Sequence, residues 1–108
     1  MIGDAGRASE KRLGKKMGGR LRPVSGAMTG AKGDIDLGDV LMEAKSTITD
    51  SLTVHFAWLA KIEGEALRAG KKPALGISFT KMSGASWPGG DWVCVPLADF
   101  LELMNERR

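Results

Sequence analysis

The sequence predicts a single α/β domain over residues 1–108, with a central mixed β-sheet flanked by helices. Three observations carry that expectation. A hairpin pattern around Gly38-Asp39 is followed by a helical pattern and then by an apolar strand, and a crossover of this kind sets parallel pairing beside the antiparallel hairpin. Hydrophobic content of 43% and charged content of 27% are those of a globular domain and argue against wholesale disorder. A chain of 108 residues has room for one modest core, and no internal repeat or domain boundary interrupts it.

Residues 1–8 read as a flexible start. Ser9 is a candidate cap for a helix reaching about Met17, which Gly18-Gly19 would end. Glu10, Leu13 and Met17 form one inward stripe of that helix, so Glu10 is an acid on the inward side; the helix macrodipole alone would also favour it there. From Arg20 to Lys32 the chain is loop-like, with Leu21 to Val24 as a possible short strand and Arg22 and Lys32 bracketing a Gly-rich stretch able to approach a phosphate backbone.

The segment Gly33 to Lys45 reads as two strands joined by the two-residue turn Gly38-Asp39. Paired outward from that turn, Leu37 faces Val40, Asp36 faces Leu41, Ile35 faces Met42 and Asp34 faces Glu43. Ile35, Leu37, Val40, Met42 and Ala44 then share one face, while Asp34, Asp36, Glu43 and Lys45 share the other. Like charges opposed across strands are destabilising. A divalent cation, which takes oxygen ligands from one or two carboxylates, is the simplest reason for the arrangement, and a solvated hairpin face is the alternative.

Beyond a polar connector, Asp50 or Ser51 would cap a helix over about Val54 to Ala69, with Leu52, Phe56, Leu59, Ile62 and Ala66 as its packed face. Lys61 and Glu65 lie elsewhere on that cylinder. His55 reads as a surface or packing histidine, and Trp58 as core or interface. Pro73 to Phe79 is a buried strand, Lys81 to Asp91 a flexible loop around Trp87, Trp92 to Val95 a further strand, and Leu97 to Asn105 a terminal helix.

Charge is unevenly distributed. Residues 1–32 hold eight basic and two acidic side chains, while the remainder hold eight basic and eleven acidic ones, so a local +6 adjoins a local −3. That division suits a protein that grips a polyanion, and a solubilising basic tail is the bland alternative. No apolar run approaches the ~20 residues that a membrane span needs, and there is no signal-peptide pattern, so an intracellular, cytoplasmic protein is expected. Cys94 is the single cysteine, which excludes an intramolecular disulfide or a Cys-rich zinc site; it reads as a small buried hydrophobe. A small domain gains stability from a partner subunit, and a homodimer is expected.

Four elements in order resemble the PD-(D/E)xK nuclease superfamily, and within it the small archaeal and phage Holliday-junction resolvases. They are Glu10 in Ser-Glu-Lys-Arg-Leu, Ser25-Gly26, Asp34 in Lys-Gly-Asp-Ile, and Glu43-Ala44-Lys45-Ser46. Gly33 stands where that pattern has proline, and Asp36 competes with Asp34 for one role. The resemblance, over about Ser9 to Phe79, implies a restriction-endonuclease-like fold and Mg²⁺-dependent hydrolysis of DNA phosphodiester bonds, selective for branched or junction DNA, leaving a 5′ phosphate. It implies that Asp34 and Glu43 hold Mg²⁺, with Mn²⁺ as a substitute, with Glu10 completing the metal shell and Lys45 as the fourth catalytic residue. It further implies DNA contacts from Arg7, Lys11, Arg12, Lys15, Lys16, Arg20, Arg22, Ser25 and Lys32. A nicking or end-processing nuclease, a non-catalytic DNA-binding module and a partner-dependent subunit are the alternatives.

Overall fold

Gly38 adopts a φ of +90°, and the Leu37 N–H donates to the Val40 carbonyl at 2.9 Å. The Gly-Asp pair therefore reverses the chain in two residues, as hairpin turns require. The computed structural model describes residues 2–22 and 34–106. Among them the chain runs α1 (Ile2–Lys16), β1 (Arg20–Arg22), β2 (Asp34–Asp36), β3 (Val40–Thr47), α2 (Phe56–Arg68), β4 (Lys72–Thr80), β5 (Ser86–Cys94) and α3 (Leu97–Glu106). The strands form one mixed sheet in the order β1-β2-β3-β4-β5, four strands extended at one edge by the three-residue β1. Pairing is antiparallel except between β3 and β4, which α2 connects as a crossover.

The hairpin register is the one its turn predicts, with Ile35 opposite Met42 and Asp36 opposite Leu41. Alternation then sorts the two faces. On one, Leu13 of α1 packs with Ile35, Met42, Ala44 and Ala74. On the other, Ile62 and Ala66 of α2 pack on Leu41. Burying each large aliphatic side chain there contributes about 1.5–3 kcal/mol, so the two layers hold the sheet between them.

Several elements differ from the sequence reading. The first helix begins at Ile2 and includes the stretch read as a flexible start. Ala5 and Ser9 are buried against the turn between β4 and β5, where Gly84 (φ +92°) comes so close to Ala8 that an added Cβ would collide with it. The segment Ser86 to Asp91 is strand, despite Pro88-Gly89-Gly90, because β4 supplies a ladder: Ser78 pairs with Asp91 and Thr80 with Ser86, with a register shift between. Cys94, expected inside, is exposed on this edge strand. The α2 helix starts at Phe56 with His55 as its N-cap and no side-chain capping bond, and Phe56 is 79% exposed. No helix among the described residues is long and apolar enough to cross a membrane.

Candidate active site

The hairpin carries Asp34 on β2 and Glu43 on β3, both about 6% exposed. Lys45 lies two residues beyond Glu43 on the same sheet face, and its Nζ is 3.1 Å from Glu43 Oε2. The same ammonium sits 4.5 Å above the centroid of the Trp58 ring, a cation–π contact that fixes where the lysine head lies. Asp36 has a different task. Its Oδ1 accepts from the Gly38 N–H at 2.9 Å and pairs with Lys71 Nζ at 3.0 Å, so it braces the turn. Asp34 is thus the β2 carboxylate in the cluster.

α2 completes the cluster with two groups that the sequence reading set aside. Lys61 Nζ donates to Glu43 Oε1 at 3.0 Å and lies 3.3 Å from Glu65 Oε1. Glu65 in turn shares a side-chain hydrogen bond with Asp34. The reason is helical phase: Ile62 and Ala66 are buried against Leu41, so their predecessors Lys61 and Glu65 flank the covered face and reach the hairpin acids. The available signal was an i,i+4 Lys–Glu pair, each member immediately before a residue of the packed stripe.

Three carboxylates and two ammonium groups therefore share one partly buried site. Burial, then the neighbouring Glu65 carboxylate, push the Asp34 carboxyl up to about 7, whereas hydrogen bonding to Asp34 and Lys61 holds Glu65 below its ordinary value despite its own burial. Burial alone would lower Lys61, but Glu43 and then Glu65 keep it above its ordinary value. Attraction between opposite charges near 4 Å is roughly 4 kcal/mol at an effective dielectric constant of 20. Removing each ion from water costs several kcal/mol, so the pairs add little net stability.

The Asp34 shift fixes a sign. Its folded value near 7 lies above the ordinary carboxyl value of 3.8, so between those limits the folded chain binds more protons and stability falls as pH rises. Asp34→Asn, neutral at every pH, is expected to melt above the wild type at pH 8 and close to it near pH 4. Thermal melts at the two pH values check this; an equal shift at both would detach stability from that proton.

The remaining predicted site residues are dispersed. Glu10 is buried on α1, which packs on the opposite face of the sheet from the cluster. Among the described residues no three His, Cys, Asp or Glu side chains are arranged to hold a metal ion, the lysine-paired set of Asp34, Glu43 and Glu65 included. The structure therefore does not join Glu10 to Asp34 and Glu43 as a third ligand. Arg12, expected at a DNA surface, is internal to the fold. Its guanidinium forks onto Asp91 (2.8 and 2.9 Å), donates to the Gly84 carbonyl (3.0 Å), and reaches Ser9 and Ser78. Arg7, Lys11, Lys15 and Lys16 are exposed on α1. Arg20 and Arg22 belong to β1, and Ser25 and Lys32 lie outside the described residues. The basic helix and the acid cluster consequently occupy opposite sides of the sheet.

The donor chemistry fits a hard divalent cation. Asp34 and Glu43 present carboxylate oxygens from adjacent strands, and magnesium commonly takes only one or two carboxylates, the rest of its shell being water and substrate phosphate. No protein-family model matches the chain, and neither a curated protein nor a solved structure does.

Proposed function

We propose that the chain is a magnesium-dependent DNA endonuclease of the PD-(D/E)xK kind, with a restriction-endonuclease-like fold, hydrolysing phosphodiester bonds and selecting branched DNA. The observation that carries this reading is the buried pair Asp34 and Glu43 on neighbouring strands with Lys45 on the same face. The sheet that holds them, an antiparallel hairpin beside a parallel crossover strand, is consistent with it.

Asp34 and Glu43 would hold the cation. When bound, such an ion polarises a phosphoryl oxygen and makes water a better nucleophile at neutral pH. Lys45 Nζ, held over Trp58, would donate to a phosphate oxygen or orient the attacking water, adding positive charge where negative charge develops. Lys61 is half-exposed and paired with both Glu43 and Glu65. It can withdraw toward Glu65 when Glu43 takes another partner.

The exposed lysines of α1 would contact backbone phosphates without reading sequence. Lys15→Ala with Lys16→Ala is expected to weaken duplex and junction binding alike. The slope of log affinity against log salt should fall by about 2. An unchanged slope would move DNA to the α2 side, where Lys61 and Arg68 are exposed.

A second reading is a DNA-binding module of the same fold without turnover. It is favoured by one observation, that two lysines already neutralise Glu43. The deciding experiment is cleavage of a labelled four-way junction beside linear duplex, in Mg²⁺ or in EDTA. Paired Mg²⁺-dependent cuts in the junction are the expected result. Equal cutting of both substrates keeps the nuclease and discards junction selectivity, and binding without cutting in any divalent ion favours the module.

A further inference from the structure

The sheet face that carries the acid cluster continues past it into open aromatic surface. Lys45 pairs with Ile77 and Ile77 with Trp92, so neighbouring strands set these side chains in one row. At ~4.8 Å between strands, the Trp92 backbone lies about 10 Å from that of Lys45. One row further, Phe79 stands beside Thr47. Helix α2 packs on Leu41 at the other end of this face, and Trp92 and Trp87 are left 63% and 52% exposed. Two recesses adjoin here and share Phe79 as a wall. One lies between Phe79 and Trp92, over Ile77, with Leu52 at its side. The other lies between Phe79 and Trp87, beside Ile48 and Asp50. Of the residues lining either recess, only Asp50 is charged. Both indoles are held in place. The Trp92 Nε1–H donates to the Gly89 carbonyl at 2.8 Å, and the Lys81 ammonium sits 4.9 Å from the centroid of the Trp87 ring.

We propose that this face is a stacking platform for the unpaired bases of a nucleic acid strand, Trp87 and Trp92 each presenting a ring to one base and Phe79 standing between them. The proposal deepens the nuclease reading and rests on it for the phosphate placed at Lys45; the stacking itself is read by binding alone. Three arguments select a single strand as the occupant. Exposed indoles stack on any base, because every base has a π-face, and rings already held lose little freedom when they do so. The charge is complementary. Lys45, in the row of Trp92, and Lys81, on the ring of Trp87, supply cations for the phosphates that accompany the bases. Asp50, at the rim, can accept from a base amino group. The platform is also continuous with the acid cluster, so a strand whose phosphate lies at Lys45 passes over Trp92 with its neighbouring bases. A linear duplex offers only base edges in its grooves, whereas a strand opened at a branch offers base faces. The platform therefore gives the site a reason to prefer opened strands without reading their sequence.

Titration of the full chain with an oligothymidylate of about 12 nucleotides in EDTA, followed by tryptophan fluorescence, reads the platform without turnover. Quenching is expected, with an affinity about 10-fold above that for an abasic strand of the same length, which keeps the phosphates and lacks the bases. Trp87→Ala and Trp92→Ala are each expected to bind oligothymidylate roughly 10-fold more weakly, and Trp92→Phe to keep most of the affinity. Both side chains are exposed, so the circular dichroism spectrum and the affinity for the abasic strand should be unchanged in these variants. Equal affinity for the two strands, or alanine variants that bind oligothymidylate as the wild type does, overturns the proposal. So does tryptophan emission that moves to shorter wavelength with rising protein concentration and ignores the oligonucleotide, because a second copy then covers the face. Tryptophan-dependent binding by a chain that cuts no DNA in Mg²⁺ supports the platform and overturns the nuclease reading alone.

Discussion

A chain carrying Glu43→Ala is expected to bind junction DNA as the wild type does and to have lost Mg²⁺-dependent cutting by ~10³-fold or more. That loss corresponds to about 4 kcal/mol of transition-state stabilisation. The carboxylate is nearly inaccessible, lies beside Lys45 on its own strand, and accepts from Lys61 on α2. Removing it takes away an oxygen donor that Asp34 alone does not replace. The fold should tolerate the change. Lys61 keeps Glu65 at 3.3 Å and is half-exposed, so water can solvate its freed charge, and Lys45 keeps its place over Trp58. The stability change is therefore expected to stay within about 1 kcal/mol, as for partly exposed ion pairs in general. Glu43→Gln, which preserves shape and removes charge, should lose cutting as fully. Isothermal titration with Mg²⁺ separates the causes, since the expected variant has weakened metal uptake as well as lost turnover. Wild-type cutting by either variant would remove Glu43 from the chemistry.

The hairpin was legible in the sequence because its physics is local. A two-residue Gly-Asp turn sets the register, and the register alone puts Asp34 and Glu43 on one face and Ile35 and Met42 on the other. The crossover to β4 was legible for a similar reason, since a long amphipathic helix between two strands leaves few topologies. What was not legible depends on contacts far apart in sequence. Pro88-Gly89-Gly90 carries turn residues, and only pairing with β4 makes it strand. Arg12 has the composition of a DNA-binding residue, and only Asp91, 79 positions later, makes it internal. Lys61 and Glu65 were visible as a surface pair, but their reach to Glu43 and Asp34 depends on how α2 is seated on Leu41. Glu10 lies on the inward stripe of α1 as its spacing suggests, yet that stripe covers the opposite face of the sheet, which one helix's periodicity cannot specify.

Arg12→Ala carries the largest expected effect on stability, a loss of about 2–3 kcal/mol, because it breaks a forked ion pair and strands its partner. Asp91 is 18% exposed in its side chain and Arg12 25%, so the cost lies below the 3–5 kcal/mol typical of a fully buried pair. Without Arg12, Asp91 keeps the Ser78 hydroxyl at 2.8 Å and the more distant Lys16 at 3.6 Å, and the Gly84 carbonyl loses its donor. For a domain of this size the melting temperature should fall by about 10–20 °C. The pH dependence identifies the mechanism. The Arg12 guanidinium, assisted by the Ser78 hydroxyl, holds the Asp91 carboxyl down to about 2, below the ordinary value of 3.8. Its stabilisation is therefore fully present above about pH 4 and is lost as pH falls toward 2. In Arg12→Ala that acid-side decline should flatten, while DNA affinity changes far less than in the Lys15 and Lys16 variant. A double-mutant cycle with Asp91→Asn measures the coupling directly. Additive losses from the two substitutions would show that the pair is not what joins α1 to β5, and the packing of Gly84 against Ala8 would have to account for that contact instead.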